Sequence, residues 1–414
     1  MKKIIALVLA LSMILCFAAC SKGNAGAEKE KVGLIKTPLP ASELKADFEV
    51  KEGFKFGLIC LHDENSTYDL NFLNGFKAAC EAAGLVEGED YIIKTNIGEN
   101  QECYDAAKDL VEQGCTMVFA DSFSHEDFMI QAAKEFPDVQ FLHATGVKAH
   151  VENLPNYHNA FANIYEGRYL AGIAAGLKLN EMIEAGDITA EGAKMGYVGA
   201  YTYAEVISGY TSFYLGAKSV CPSVTMDVQF TGTWYGEDVE KEAANTLISK
   251  GAVLVSQHAD SMGAPTACEI AGVPNVSYNG STYDACEETF IVSSRIDWAP
   301  YFLYAMGCVE SGAAIDTDWV GTIETGSVVL TDINGDVATK DTLDAMNTAI
   351  AGFKNKTLHV FDTANFTVDG KKLDSYKVED KEAISDGYFH ESELYSAPAF
   401  DIRIDGITLL NELY

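Results

Sequence analysis

Basic residues are scarce in this sequence. Lys and Arg together number 29 among 414 residues, against 61 Asp and Glu, so the formal net charge is −32 at pH 7. A surface this acidic repels the phosphate backbone of nucleic acids and offers no basic patch to anionic lipids. Nucleic acid is therefore excluded as an expected partner. Hydrophobic and charged fractions of 48% and 22% are ordinary for a folded globular protein.

The short motifs that usually mark catalysis are also missing. The sequence contains no Walker motif, no G-x-G-x-x-G after the first predicted strand, no G-x-S-x-G and no H-E-x-x-H. Residues 332–336 are similar to the start of a calcium loop, but the glycine comes too early and the terminal glutamate is missing, so we expect a turn there. We therefore expect no enzyme activity, no metal and no cofactor.

Cysteine pairs of the C-x-x-C type are absent as well. Of the ten cysteines, Cys16 and Cys20 lie in an N-terminal apolar segment and the other eight are scattered along the chain. This spacing argues against a zinc site. Several of the eight lie in apolar runs, so we expect buried free thiols, with one disulfide as the open alternative.

One long apolar run is present, at the N-terminus. Residues 4–19 are apolar apart from Ser12 and follow two lysines, and the run is shorter than the roughly 20 residues of a spanning helix. It ends in small residues and Cys20, which resembles the lipobox of bacterial lipoproteins, apart from Phe17 where that pattern usually has Leu. We expect residues 1–19 to be a lipoprotein signal peptide and Cys20 to carry the lipid anchor, on the extracytoplasmic face of the cell membrane. An ordinary secretory signal is the alternative.

The rest of the chain alternates short apolar runs with amphipathic helices. Residues 20–50 lack sustained periodicity and are expected to form a flexible tether. From residue 55, strand–helix alternation with short connections predicts an α/β protein with parallel sheets covered by helices on both faces. About ten such units are too many for one sheet, so we expect two doubly wound lobes joined by a hinge. The predicted boundaries are 51–163 for the first lobe, 164–290 for the second, 291–320 for a return that completes the first lobe, and 321–414 for a C-terminal segment that completes and covers both.

The predicted loops at the carboxyl ends of the strands are rich in aromatic, carboxylate and hydroxyl side chains. Ligands of open parallel sheets bind at this edge. Aromatic side chains on facing loops can sandwich a flat ring, while carboxylates accept hydrogen bonds from ring N–H groups or from a diol. The candidate binding residues are Tyr68, Asp69, Ser122, Asp127, Trp234, Asp260 and Asn279.

Each of these residues also has a purely structural explanation. Tyr68 and Trp234 can be amphipathic residues at loop–core borders. Asp127 suits the first turn of a helix, where the helix dipole stabilises it, and Asp69 can cap the helix that follows. The functional interpretation rests on the recurrence of such residues at every predicted strand end.

Several segments resemble a known family. They are Tyr68-Asp69 with Asn74-Gly75-Phe76, then residues 127–138, 166–172, 196–200 and 232–234. Together they resemble the basic membrane protein family, lipoprotein substrate-binding components of ABC importers whose best-understood members are purine nucleoside receptors. The similarity runs from about residue 56 to 309, and its most specific part is the Y-L-A-G helix followed by G-Y-V-G-A. The resemblance implies a type I periplasmic-binding-protein fold, which agrees with the two lobes expected from the alternation.

The resemblance also implies roles for residues around a base. Tyr68 and Asp69 match a Phe-Asn pair, so stacking is kept while an amide donor is replaced by an acid. Asp127 matches a base-binding Asp, and Trp234 matches the second stacking aromatic residue.

On the sugar side the match is looser. The family's ribose-binding Asp falls at Asn279, and its Lys falls near Arg295, for which a structural ion pair is the alternative. Asp260 matches a His-x-Asp-Ser feature of one branch of the family and is expected to contact a hydroxyl.

The predicted function is an extracytoplasmic, lipid-anchored receptor that closes on a nucleoside, preferably a purine nucleoside, and presents it to an ABC permease. Three alternatives stay open. The same fold can bind another flat or hydroxylated ligand, such as riboflavin or a sugar. A secreted nucleoside hydrolase would use Asp69 or Asp127 as general base. A signalling receptor would have no transport role.

Overall fold

The computed structural model describes residues 31–413, so the expected signal peptide and Cys20 lie outside the described range. Within that range the α-helices are α1 (Thr67–Ala82), α2 (Gln101–Glu112), α3 (Glu126–Glu135), α4 (Ala149–Glu152), α5 (Ile164–Ala185), α6 (Ala204–Val220), α7 (Glu237–Ser249), α8 (Gly263–Ala271), α9 (Ala299–Ser311) and α10 (Thr342–Lys354).

The strands of the same range follow in chain order. They are β1 (Leu34–Ile35), β2 (Phe56–Ile59), β3 (Tyr91–Lys94), β4 (Met117–Ala120), β5 (Gln140–Ala144), β6 (Tyr157–Ala162), β7 (Lys194–Gly199), β8 (Thr225–Phe230), β9 (Leu254–His258), β10 (Asn275–Tyr278), β11 (Phe290–Ile296), β12 (Asp318–Gly321), β13 (Val328–Leu330), β14 (Ile333–Asn334), β15 (Lys377–Val378), β16 (Lys381–Glu382), β17 (Ile384–Ser385), β18 (Tyr388–Phe389) and β19 (Ile407–Leu409).

Six parallel strands form the sheet of the first lobe, in the order β12-β6-β5-β4-β2-β3. The central strands β2 and β4 are buried along their whole length, as a sheet covered on both faces requires. Helices α1 and α9 cover one face, where the rings of Phe72 and Trp298 stack 4.3 Å apart. Helices α2 and α3 pack on the other face.

Seven strands form the sheet of the second lobe, in the order β13-β11-β10-β9-β7-β8-β19. All neighbours are parallel except β13, which runs antiparallel to β11. Helices α5 and α6 lie in backbone contact at Gly172, where a Cβ atom would overlap the Phe213 carbonyl oxygen. Helices α7 and α8 cover the opposite face.

The chain passes between the two sheets three times. It crosses between β6 and α5, between β11 and α9, and between β12 and β13. Strand β11 still belongs to the second sheet, so the boundary expected at residue 290 is too early and the crossing lies after Ile296. The two doubly wound lobes are those expected from the strand–helix alternation.

The expectation of a flexible tether up to residue 50 is wrong for residues 34–39. Strand β1 pairs with β14, and Lys36 forms an ion pair with Asp332 at 2.8 Å. Leu39 is 6% exposed, and its carbonyl oxygen accepts a hydrogen bond from the Leu330 N–H. The few apolar side chains of residues 34–39 are sufficient to hold this segment in place, because they cover the edge formed by the consecutive strands β13 and β14.

The C-terminal segment contacts both lobes. The Ser396 N–H and hydroxyl both donate to Asp318 of β12, in the first lobe. The Glu391 carboxylate accepts a hydrogen bond from the Ser208 hydroxyl of α6, in the second lobe, at 2.6 Å.

Two further expectations concern cysteines and membrane spans. The eight cysteines of the described part of the chain are buried and free, as expected. A search of the described helices finds none that combines the length and the apolar character of a membrane span.

Candidate functional site

The carboxyl ends of the two sheets meet at one cavity of about 350 Å³. This is the edge at which open parallel sheets bind ligands. The first lobe contributes Leu61, His62, Tyr68, Asp69, Ser122, Phe123 and Thr145, and the second contributes Glu205, Trp234, His258, Asp260 and Asn279. The structure therefore brings together six of the eight residues singled out from the sequence.

The lobes touch each other around this cavity. The Thr67 N–H donates a hydrogen bond of 2.9 Å to the carbonyl oxygen of Asp260, across the cleft. Nearby, the Phe123 ring of the first lobe stacks on the Tyr203 ring of the second, with centroids 5.2 Å apart. These contacts define the closed conformation of a hinged two-lobe protein.

Tyr68 is held rigidly in the first-lobe wall. It is the second residue of α1, and its hydroxyl donates to the Asp121 carbonyl oxygen at 2.8 Å. Its ring meets the edge of Phe72 at 4.9 Å. Burial raises the pKa of Tyr68 well above its usual range, so the phenol stays neutral and offers a fixed aromatic face.

Asp69 lies in the first turn of α1, next to Tyr68. Its carboxylate accepts hydrogen bonds from the His62 N–H at 2.7 Å and the Ser66 hydroxyl at 2.6 Å. Burial opposes ionisation of Asp69, but the His62 side chain, 3.4 Å from its carboxylate, together with these hydrogen bonds outweighs burial and lowers the pKa of Asp69. The carboxylate is thus ionised, and it also has the structural role at the start of α1 that the sequence left open.

Cys60 and Asp121 form a buried group with Asp69 beside this wall. One sulfur and one oxygen from each carboxyl group lie within 4.8 Å of one another. Thiolate and carboxylate are zinc ligands. Burial, together with the negative charge of Asp69, raises the pKa of Asp121, and burial also raises the pKa of the Cys60 thiol.

Trp234 lies on the loop after β8 and forms part of the second-lobe wall of the cavity. Its carbonyl oxygen accepts a hydrogen bond from the Asp260 N–H at 3.0 Å. Its ring packs edge-on against Tyr201 at 5.2 Å and lies 6.1 Å from Tyr203. Together with Phe123, these rings form an aromatic rim where the lobes meet.

Asp260 and Asn279 form a polar pair beside Trp234. The Asn279 amide donates to the Asp260 carboxyl group at 3.3 Å, and Asn279 has a left-handed backbone, with φ of 66°. Asparagine adopts this backbone conformation more readily than most side-chain-bearing residues do. Burial, followed by the negative charges of Asp69 and Glu240, raises the pKa of Asp260 well above its usual range. Asp260 is thus favoured as a neutral acid that can donate a hydrogen bond.

Glu205 and His258 are site residues that the sequence analysis did not select. The His258 Nε2 atom lies 3.4 Å from a Glu205 carboxylate oxygen. His258 is the last residue of β9 and Glu205 lies in the first turn of α6. The position of His258 at a strand end, two residues before Asp260, was the signal available in the sequence.

Asp127 and Arg295 lie outside the cavity lining, and their expected placement is wrong. Asp127 is 71% exposed and pairs with Lys148 at 2.5 Å on the outer side of α3. Its neighbour Glu126 is buried and accepts hydrogen bonds from the Val147 and Lys148 N–H groups. The side chains of consecutive helix residues point in directions about 100° apart, so Glu126 points inward while Asp127 faces the exposed side of the helix.

Arg295 is half-buried on β11, next to fully buried Ser294. Alternate residues of a strand point to opposite faces of the sheet, so a strand position alone did not fix the direction of its side chain. Burial lowers the pKa of Arg295, against a smaller raising effect of Asp297. Arg295 thus lies near Asp297 and outside the cavity lining.

Known structures share this architecture. An ABC transporter solute-binding protein from Conexibacter woesei superposes with a TM-score of 0.60 at 20% identity, over 74% of this chain and 98% of that chain. A solute-binding protein from Aeropyrum pernix superposes with a TM-score of 0.58 at 16% identity, over 74% of this chain and 87% of that chain. These similarities confirm the predicted type I periplasmic-binding-protein fold.

Sequence comparison identifies relatives with named ligands. A purine-binding protein of Brucella abortus is 30% identical over 217 residues, or 52% of this chain and 58% of that protein. A putative ABC transporter glucose-binding protein of Haloferax volcanii is 33% identical over 52% of this chain and 51% of that protein. The nucleoside-binding protein BmpA of Lactococcus lactis is 25% identical over 63% of this chain and 66% of that protein. The chain thus spans between half and three fifths of the length of the first two relatives.

The family described as ABC transporter substrate-binding protein PnrA-like matches residues 58–355. This range contains strands β3 to β14 and the end of β2, helices α1 to α10 and every residue that lines the cavity. The chain belongs to this family, the Bmp family of ABC transporter substrate-binding proteins.

Proposed function

We propose that this protein is the solute-binding receptor of an ABC importer and that it closes its two lobes on a purine nucleoside. One observation carries the proposal: the cavity has an aromatic side chain from each lobe, Tyr68 and Trp234, beside carboxyl groups. Stacking of a base on an aromatic ring contributes about 1–3 kcal/mol and requires a flat ligand. An ionised Asp69 accepts hydrogen bonds from ring N–H groups or hydroxyls, and a neutral Asp260 can also donate one.

The charge of the cavity supports a nucleoside over a nucleotide. Three carboxyl groups line it, from Asp69, Glu205 and Asp260, and its lining contains no lysine or arginine. A phosphate placed among these groups would meet negative charge in a partly dehydrated space. A neutral ligand rich in N–H and O–H donors matches the acceptors instead.

Closure is the step that would couple binding to transport. Both lobes contribute to the cavity, so a ligand that contacts both stabilises the closed conformation over the open one. The closed receptor would then be recognised by an ABC permease, with the protein held at the extracytoplasmic face through a lipid on Cys20. The family of the chain and the purine-binding and nucleoside-binding relatives support this assignment.

Thermal unfolding in the presence of candidate ligands tests the proposal. The purified protein, freed of co-purified ligand by unfolding and refolding, is heated with adenosine, inosine, cytidine, adenosine monophosphate, riboflavin and glucose. A ligand at a hundred times its dissociation constant stabilises by about 2.7 kcal/mol, which raises the unfolding midpoint by several degrees. We expect a shift with purine nucleosides and none with the monophosphate. A shift with glucose alone would overturn the nucleoside assignment in favour of a sugar, as the Haloferax relative suggests.

A further inference from the structure

A second and wider space lies beside the ligand cavity. This outer recess has an open volume of about 1180 Å³, and Phe123, Thr145 and Glu205 line both the recess and the inner cavity. A ligand that extends past these three residues therefore has space to occupy.

The outer wall of the recess comes from the C-terminal segment. Tyr395, Ala397, Asp401 and Arg403 lie beyond residue 355, where the family match ends, and all four line the recess. The wall is anchored, because the Glu391 carboxylate accepts hydrogen bonds from the backbone N–H groups of the two residues that follow Pro398. This part of the binding region is thus built by a segment that the family match does not include.

Glu205 stands where the two spaces adjoin. Its side chain is 10% exposed, and its carboxylate lies 3.4 Å from the His258 Nε2 atom. Burial lowers the pKa of His258, so that imidazole is neutral near pH 7 and supplies a hydrogen bond rather than a charge. A carboxylate this buried calls for a cation or for further hydrogen-bond donors.

The described residues that line the two spaces offer Glu205 no unpaired cation, and the buried guanidinium of Arg168, whose charge also acts on His258, lines neither space. The inner cavity has no lysine or arginine in its lining, and the recess has one, Arg403. Its guanidinium is engaged by the Asp401 carbonyl oxygen at 2.9 Å and by Glu412 at 3.6 Å. The recess is therefore lined by the carboxyl groups of Glu205, Asp401 and Glu412, and the guanidinium that also lines it is paired with the last of these.

We propose that Glu205 binds a protonated amine of the ligand, whose ring lies in the inner cavity and whose amine-bearing arm points into the outer recess. The inference rests on the proposed function and narrows it to nucleosides, or similar flat ligands, that carry a basic amine. A protonated amine beside Glu205 forms a charge-assisted hydrogen bond in a site from which most water is excluded.

Paired ligands test the inference without assuming which end of the nucleoside faces the recess. Calorimetric titration compares 5′-amino-5′-deoxyadenosine with 5′-deoxyadenosine, and N6-(2-aminoethyl)adenosine with N6-propyladenosine, on the wild type and on Glu205→Gln. We expect at least one amine to bind the wild type about tenfold or more tightly than its neutral counterpart. That preference should fall below about threefold in Glu205→Gln, which keeps the size of the side chain and removes its charge.

Glu237→Gln is the matched control. Glu237 also lies in the first turn of a helix of the second lobe, but it is exposed and lines neither space. We expect this variant to keep the amine preference of the wild type. Unfolding midpoints of both variants verify that they are folded.

The outcomes separate the inference from the proposed function. Equal binding of amine and neutral ligand to the wild type, or a preference that survives in Glu205→Gln, would overturn the role of Glu205. Failure of adenosine and all four analogues to bind would overturn the nucleoside receptor itself.

Discussion

The backbone N–H of Thr67 in the first lobe donates a hydrogen bond of 2.9 Å to the carbonyl oxygen of Asp260 in the second lobe. Thr67 directly precedes Tyr68 and Asp69, and the Asp260 side chain lines the opposite wall of the same cavity. One interlobe contact thus sets the spacing of the side chains that would hold a ligand. Opening of the hinge must break this contact, so the site is complete only in the closed conformation.

A disulfide across the cleft should lock the lobes. A Cβ atom at Gly280 would lie 3.6 Å from the Thr67 Cβ atom, within the range of about 3.5–4.5 Å found in disulfides. In the double variant Thr67→Cys, Gly280→Cys, oxidation without ligand should slow adenosine association by about tenfold or more, and reduction should restore it. Stopped-flow fluorescence measures the rates, and mass spectrometry verifies the disulfide.

The two single variants serve as controls for this experiment, and the native cysteines of the described residues are buried and should not compete. Equal association rates in the oxidised and reduced double variant would show that ligand enters without opening of the lobes.

Replacement of Trp234 should weaken binding with little effect on folding. Its ring is half-buried at the cavity wall, and loss of stacking costs about 1–3 kcal/mol, so Trp234→Ala should raise the dissociation constant of adenosine by about tenfold. Calorimetry gives the constant and thermal unfolding tests the fold. Tyr283→Ala, at a half-buried aromatic residue outside the cavity lining, is the control. Unchanged affinity in Trp234→Ala would remove this residue from the site.

Asp69 and Asp127 should behave differently when each is replaced by asparagine. The Asp69 carboxylate is buried, accepts hydrogen bonds from His62 and Ser66 and lines the cavity, so Asp69→Asn should lower both the unfolding midpoint and the affinity. Asp127 is exposed and pairs with Lys148, a contact worth about 0–1 kcal/mol, so Asp127→Asn should leave affinity unchanged. Calorimetry on both variants makes the comparison. Loss of adenosine binding in Asp127→Asn would contradict the placement of this residue outside the site.

Glu391 should make stability depend on pH. Burial raises the pKa of Glu391 to about 7, although hydrogen bonds from Ser208 and two backbone N–H groups oppose the shift. Because the folded-state pKa lies above the unfolded value of about 4.3, its contribution is fully present below pH 4.3 and is lost as pH rises through 7. From pH 5 to pH 8 the wild type should lose about 1–3 kcal/mol of stability relative to Glu391→Gln.

Urea unfolding of both proteins at several pH values measures this difference. A stability difference that stays constant from pH 5 to pH 8 would mean that Glu391 does not titrate in this range.

Local patterns predicted much of the fold. Strand–helix alternation predicted the parallel sheets. Apolar residues recur at helical spacing in the helices and form short continuous runs in buried strands, as in the fully buried β2 and β4. The same patterns located the loops that carry Tyr68, Asp69 and Trp234, since the carboxyl end of a strand is readable from the chain. The prediction of a flexible tether is wrong for residues 34–39, because a short extended segment can form hydrogen bonds with a strand that is distant in sequence, such as β14.

The amino-acid sequence by itself determined the two-lobe architecture, the family and the loops that meet at the cleft. Tertiary structure alone decided the direction of individual side chains, so that Glu126 rather than Asp127 points inward, and the pairing of Glu205 with His258, more than fifty positions apart. It also decided the direction of pKa shifts, because burial and then the negative charge of Asp69, from the other lobe, raise the pKa of Asp260. Periodicity is encoded locally, whereas burial and charge depend on which distant segments come together.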